Sequence, residues 1–183
     1  MPLQRTLARI SRKVGLRGAL ALAIILAAAM LVTKLFVMAA LVVVAFALTM
    51  LVRAFHLRML GLELATFLTI LAGYLYGPET GMAVGLVSIL FHLIGGGYSF
   101  GLFYFCIVPT YVLIGLLAGM WSSQPITSLG IYLVLLLNGI NLGFTLLFTP
   151  GGLVRHVPFA LTDILFNVML FTFIAPALVA ILA

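Results

Sequence analysis

Residues 67–85 read FLTILAGYLYGPETGMAVG, which is an apolar run, a turn and the start of a second apolar run. The turn lies at the glycine-proline pair 77–78, because glycine permits unusual backbone conformations and proline cannot continue a helix. Glycines recur at four-residue spacing here and twice later, at Gly73/Gly77, Gly81/Gly85, Gly115/Gly119 and Gly139/Gly143. Small side chains on one helix face let two backbones approach closely in lipid. The pattern predicts neighbouring membrane helices, with the glycines at their contacts.

The composition of the whole chain is that of a membrane protein. Of 183 residues, 66% are hydrophobic and 7% are charged, and the mean hydropathy is +1.40, whereas about a quarter of the residues in soluble domains are charged. The only lysines in the sequence are Lys13 and Lys34, and neither follows the glycine-rich spacing of a phosphate-binding loop. If such a protein used ATP for transport, a partner would have to hydrolyse it.

Apolar runs long enough for helices predict an all-α bundle that crosses the membrane several times. These runs lie at 18–33, 35–52, 60–76, 79–95, 102–121, 126–149 and 158–182. A span needs about 20 residues, and glycine, proline and polar residues separate most of the runs. Only Thr33 and Lys34 divide the first two, with no glycine or proline to turn the chain. The sequence therefore leaves six and seven spans open.

The basic residues bear on orientation. Five of the nine lie in the first 17 residues, directly before an apolar run, which is typical of cytoplasmic retention and contact with anionic lipid rather than with nucleic acid. With seven spans and a cytoplasmic N-terminus, Arg53, Arg58 and Arg155 also lie inside, and with six spans they lie outside. The positive-inside tendency favours seven spans. We expect a multi-pass protein of the cell membrane.

Polar side chains within the apolar runs indicate a candidate binding site. Asp163 and Asn167 lie one helical turn apart in the last run, and Asn138 and Asn141 lie near the middle of the run before it. A charged or amide group that faces hydrocarbon costs several kcal/mol unless it is paired, so these faces point inward. A short connection makes the two helices antiparallel neighbours. Both polar faces can therefore line one cavity.

We predict that this cavity is a substrate pocket lined by Asp163, Asn167, Asn138, Asn141 and His92. Two glycine-containing loops, 95–101 and 149–157, would close it, because glycine gives a loop freedom to open and close. For the two central asparagines, hydrogen bonds that only join helices are an equal alternative. For His92, which lies near a helix end, the alternative is an interfacial histidine bonded to a backbone carbonyl. Glu63, close to the start of its run, is expected to be solvated or paired with Arg58.

Other reactive residues indicate no further site. The three histidines lie in different segments without paired spacing or a cysteine cluster, so we predict neither a metal nor a cofactor. No nucleophile-and-base motif occurs, which argues against a hydrolase. We interpret Cys106 as an inert buried thiol. Tyr98, Tyr104 and Tyr111 could contact a planar ligand, but tyrosine is also typical of the interfacial aromatic belt, and we interpret most of the three as belt residues.

Three stretches resemble a known family. Residues 67–85 are similar to a helix that ends in an apolar-Gly-Pro turn and leads into the next span through Gly-x-x-x-Gly. Val157-Pro158-Phe159 followed by Asp163 resembles a Pro-Phe pair and a carboxylate at the head of a sixth helix. Residues 34–41 resemble a first helix. Over 34–183 the chain thus resembles the substrate-binding S components of energy-coupling factor transporters.

The resemblance implies a six-helix domain over 34–183, with residues 1–33 as a basic tail and an additional apolar helix. It implies a subunit that binds a vitamin or similar micronutrient and delivers it through a membrane coupling subunit driven by two ATPases. In that family an alanine-x-x-x-alanine motif meets the coupling subunit. The literal motif here consists of Ala19, Ala23 and Ala27, which precede the matching segment.

Two other functions stay open at the level of the sequence. One is a small polytopic scaffold protein of the cell envelope without a small-molecule ligand. The other is a membrane-embedded enzyme, which would require Asp163 and His92 to converge as an acid-base pair. We favour substrate binding for uptake, without enzymatic activity.

Overall fold

The structure, a computed structural model, describes residues 36–57, 60–97 and 101–182 together with Ile24 and Val32. The chain divides into two compact units, Met1–Ala40 and Leu41–Ala183. In the first unit the described residues are helical. Apart from Ile24 and Val32, the apolar run 18–33 lies outside the described residues. The same is true of the predicted docking residues Ala19, Ala23 and Ala27.

Every regular element in the described ranges is helical, which confirms the expectation of an all-α protein. The helices are α1 (Phe36–Ala54), α2 (Ala65–Tyr76), α3 (Pro78–Gly96), α4 (Leu102–Met120), α5 (Ile126–Phe148), α6 (Leu153–Met169) and α7 (Ala175–Leu182). A 3-10 turn, Pro150–Gly152, precedes α6, and a π-helical turn, Leu170–Ile174, joins α6 to α7.

Helix length and composition make this a membrane protein. Four described helical stretches are long and apolar enough to cross a bilayer, namely Phe36–Ala54, Pro78–Gly96, Ile126–Phe148 and Pro150–Leu182. The apolar stretches Ala65–Tyr76 and Tyr104–Met120 are shorter. A total of six or seven spans stays a prediction.

The short helix α2 forms the core of the bundle. It is buried from Ala65 to Gly73 and packs against α3, α4 and α5. Its Phe67 ring contacts Phe171 of the π-helical turn, with 5.0 Å between ring centroids. The predicted start of this helix at residue 60 is wrong, because residues 60–64 are not helical; Gly61, within this segment, packs against α6. Within a bilayer, non-helical backbone is tolerated only where protein surrounds it.

Glycines set the distances between α2, α3 and α4. A Cβ atom at Gly81 would overlap the carbonyl oxygen of Gly115, and a Cβ atom at Gly73 would lie 2.6 Å from the same oxygen. The predicted packing role is thereby confirmed for these glycines. For the last pair it is wrong, since a Cβ atom at Gly139 or Gly143 would meet nothing within 4 Å.

The connection between α5 and α6 is shorter than predicted. The expected loop 149–157 is wrong, because residues 150–152 form a 3-10 turn and α6 begins at Leu153. Pro158 lies within α6 rather than before it. One missing backbone N–H near the start of a helix removes a single hydrogen bond, and here the helix continues through it. The extra turns place residues 153–157 on the same helix as Asp163.

Candidate functional site

A cavity of about 500 Å³ lies between α3, α4, α5 and α6. Four of the predicted pocket residues line it: Asp163, Asn138, Asn141 and His92. The other lining residues are Ile89, Leu93, Gly101, Tyr104, Ile107, Tyr111, Leu137, Thr145, Thr149, Gly152, Arg155, His156 and Phe159. The fifth predicted residue, Asn167, is buried behind Asp163. The residues meet at one place, and their binding of a substrate stays a prediction.

Asp163 is the acidic residue of the cavity wall, and the side-chain amides of two asparagines donate hydrogen bonds to it. Its side chain is 2% exposed. Asn138 on α5 donates from Nδ2 to Oδ2 of Asp163 over 2.7 Å, and Asn167 on α6 donates from Nδ2 to Oδ1 over 2.8 Å. Each carboxylate oxygen thus has a donor, as a buried carboxyl group requires. The Asn138 bond also joins α5 to α6, so this asparagine has the structural role that the sequence left open.

Asn141 differs from Asn138 although it lies one turn away on the same face of α5. Its side chain is 4% exposed and lines the cavity. Its Oδ1 is buried and accepts no hydrogen bond from another described residue. A buried polar group without a partner costs about 1–3 kcal/mol. Asn141 is therefore available to a group that enters the cavity.

Glu63 is a second buried carboxyl group, and the expectation that solvent surrounds it is wrong. It is 2% exposed, because residues 60–64 turn into the bundle. Its carboxylate accepts hydrogen bonds from the backbone N–H groups of Ala65 and Thr66 and from the Thr66 hydroxyl. The first N–H groups of a helix have no acceptors within the helix, and at the start of α2 the Glu63 carboxylate is the acceptor. Arg58, its expected partner, lies outside the described residues.

Tyrosines take part in the site more than the sequence suggested. Tyr111 is buried on α4 and lines the cavity, so the belt interpretation does not hold for this one of the three tyrosines. Its hydroxyl donates to Oε1 of Glu63 over 3.0 Å, which connects the cavity wall to this second carboxylate. Tyr104, two helical turns earlier on the same face of α4, also lines the cavity. Tyr98 lies outside the described residues.

Tyr111→Phe tests the link to Glu63. The change removes a hydroxyl that donates to a buried carboxylate, so we expect the free energy of unfolding to fall by about 1 kcal/mol. The melting temperature of the purified protein in detergent measures this loss. Tyr132→Phe is the matched control, because the Tyr132 ring is 69% exposed, and it should melt as the wild type does. Equal melting of both variants would contradict the assigned hydrogen bond.

The first turns of α6 supply a basic end to the cavity that sequence reasoning missed. Arg155, His156 and Phe159 all line it. The His156 and Phe159 rings stack with centroids 5.7 Å apart. Arg155, Phe159 and Asp163 recur every four residues, a helical signal that the assignment of 150–157 to a loop concealed.

His92 lies between this cavity and a second one. Its Nδ1 is 3.4 Å from the Thr49 hydroxyl on α1. The second cavity, of about 450 Å³, lies between α1, α2 and α3 and has a mostly apolar wall that includes Thr49 and His92. His92 thus contacts α1 on one side and the polar cavity on the other.

Within the described ranges, no group of three or more His, Cys, Asp or Glu side chains could hold a metal ion. Cys106 is half-buried on α4. No family model matches the chain, and neither does any curated protein or any solved structure.

Proposed function

We propose that the protein is the membrane substrate-binding subunit of an energy-coupling-factor-type uptake transporter for a vitamin or a related micronutrient. The cavity beside Asp163 is the observation that supports this most. Its volume of about 500 Å³ lies within the range of about 300–1,000 Å³ that is common for small-molecule sites. Like such sites, it has many apolar lining residues and a few convergent polar groups.

Asn141 favours this function over an envelope scaffold without a ligand. Its buried Oδ1, which no described residue bonds, belongs to a side chain that lines a cavity large enough for a small molecule. A ligand that donates a hydrogen bond to Asn141 Oδ1 offsets the cost of burying that oxygen. The scaffold alternative has no comparable supporting observation in the described part of the chain.

The proposal includes partners that work in trans. Residues 34–183 would form the S-component-like core of six helices, and residues 1–33 would add a basic tail and a further helix. A membrane coupling subunit would dock at Ala19, Ala23 and Ala27. Separate ATPases would supply the energy, in keeping with the lack of a phosphate-binding loop in the sequence. The complex would lie in the cell membrane.

Ligand binding by the purified protein is the direct test. We expect the full chain in lipid nanodiscs to bind one member of a panel of water-soluble vitamins and nucleobase derivatives. Binding to the folded state alone stabilises it by about 2.7 kcal/mol at a ligand concentration of about 100 Kd, which a thermal shift resolves. Isothermal titration then gives the affinity. If no member of the panel binds, capture of a micronutrient is wrong.

The orientation of the cavity gives an independent test. Gly152 and Arg155 line the cavity close to the connection between α5 and α6, and uptake requires this side to face outward. In a Cys106→Ala background, we expect a cysteine in place of Gly151 to react with an impermeant maleimide on intact cells. A cysteine in place of Gln124, at the other end of α5, should react only after lysis. The reverse labelling would contradict uptake and agree with the positive-inside count.

A further inference from the structure

We propose that the substrate is a dipolar molecule, with a positively charged group bound beside Asp163 and an anionic group bound at Arg155. This inference rests on the proposed function and names the chemical class of the ligand. It follows from the unequal distribution of charge along one face of α6.

Three cavity-lining residues of α6 define the length of the site. Arg155, Phe159 and Asp163 are spaced four residues apart, so they lie on one face of the helix. At 1.5 Å per residue, the backbone positions of Arg155 and Asp163 are about 12 Å apart. A vitamin-sized molecule can reach from one to the other, with Phe159 beside its middle.

The inner end of the site is acidic. Asp163 and Glu63 are each 2% exposed, and Tyr111 lies between the cavity and Glu63 because it lines the first and donates to the second. The backbone at Gly61 packs directly against Asp163, which brings the segment that contains Glu63 to this end. Neither arginine of the described ranges forms an ion pair with these carboxylates. Two buried carboxylates without such a partner favour a cationic group.

The outer end of the site is basic. Arg155 is exposed, lines the cavity and forms no hydrogen bond or ion pair with another described residue. His156 is next to it in the same wall. The first turn of α6 contains no acidic residue. A guanidinium group in this position favours a carboxylate or phosphate group of the ligand.

Asn141 provides the observation that points to a ligand independently of charge. Its buried Oδ1 accepts no hydrogen bond from a described residue, and its side chain lines the same cavity. It lies one turn beyond Asn138, which is bonded to Asp163. A donor group on the positive part of the ligand can reach this oxygen while the charge lies beside Asp163.

Three matched aromatic probes test whether the site prefers a ligand that carries both charges. They are 4-(aminomethyl)phenylacetate, which carries both charges, 4-methylphenylacetate, which carries only the negative one, and 4-methylbenzylamine, which carries only the positive one. Affinities are measured by saturation-transfer NMR on the full chain in nanodiscs. We expect the dipolar probe to bind about tenfold more tightly than either single-charge probe.

Arg155→Gln is the deciding variant, because an exposed side chain at the cavity mouth can change without loss of the fold. It should reduce the affinity for the dipolar probe about tenfold and leave that for 4-methylbenzylamine unchanged. Arg53→Gln is the control, since Arg53 is also exposed but bonds the Gly95 carbonyl outside this cavity. It should change neither affinity.

The outcomes separate this inference from the proposed function. If a vitamin of the panel binds independently of Arg155 and the dipolar probe binds no more tightly than the single-charge probes, the inference of a dipolar substrate is wrong while uptake stands. If the dipolar probe binds with the expected dependence on Arg155 and no panel member binds, micronutrient capture is wrong while the charge assignment stands. If neither the panel nor the probes bind, both are wrong.

Discussion

Gly115→Ala is expected to destabilise the bundle by about 2–4 kcal/mol, although alanine is the better helix former. The added Cβ atom would overlap the carbonyl group of Gly81 and lie 2.8 Å from the backbone nitrogen of Met82. Backbone atoms cannot rotate away as a side chain can. The substitution therefore forces α3 and α4 apart and weakens their packing against α2.

Gly139→Ala is the matched control for this effect. A Cβ atom there would meet nothing within 4 Å, and the residue is exposed in the middle of α5. At an unhindered helix position, alanine stabilises the helix by up to about 1 kcal/mol relative to glycine. We expect this variant to melt at or above the wild-type temperature. Thermal unfolding of both variants in the same detergent makes the comparison, and equal melting temperatures would contradict the assigned helix contact.

These two glycines also show what sequence spacing can and cannot predict. The Gly115/Gly119 and Gly139/Gly143 pairs are identical as patterns, and the sequence gives both the same role. The structure separates them, since only the first faces another backbone. Which face of a helix meets a neighbour depends on the arrangement of all the helices, and four-residue spacing does not contain that information.

The residues of the candidate site could be predicted where the cost of burying a polar side chain in hydrocarbon alone decides its position. Asp163, Asn138 and Asn141 could be placed around a common cavity because amides and carboxylates avoid hydrocarbon. Glu63 and Arg155 could not be placed in this way. Glu63 is buried because the non-helical segment that contains it turns into the bundle. Arg155 lines the cavity because α6 begins at Leu153, before the proline at which the sequence predicted its start.

Asn138→Leu is expected to lower both stability and ligand binding. Asn138 donates to Asp163 Oδ2 and to the Val134 carbonyl, and it lines the cavity. Leucine is of similar size but leaves a buried carboxylate oxygen without its amide donor, which costs about 1–3 kcal/mol or more for a charged group. A lower melting temperature would then accompany loss of affinity for the vitamin that binds the wild type.

Asn141→Leu, by contrast, is expected to lower ligand binding without lowering stability. Its side chain forms no hydrogen bond with another described residue, so replacement by leucine removes an unpartnered buried oxygen and leaves stability unchanged or higher. If that oxygen accepts a hydrogen bond from the substrate, the affinity falls at least about tenfold. Melting temperature and isothermal titration on the same preparation measure both quantities. A variant that melts lower and binds normally would make Asn141 a structural amide and remove the observation that favours a binding subunit over a scaffold.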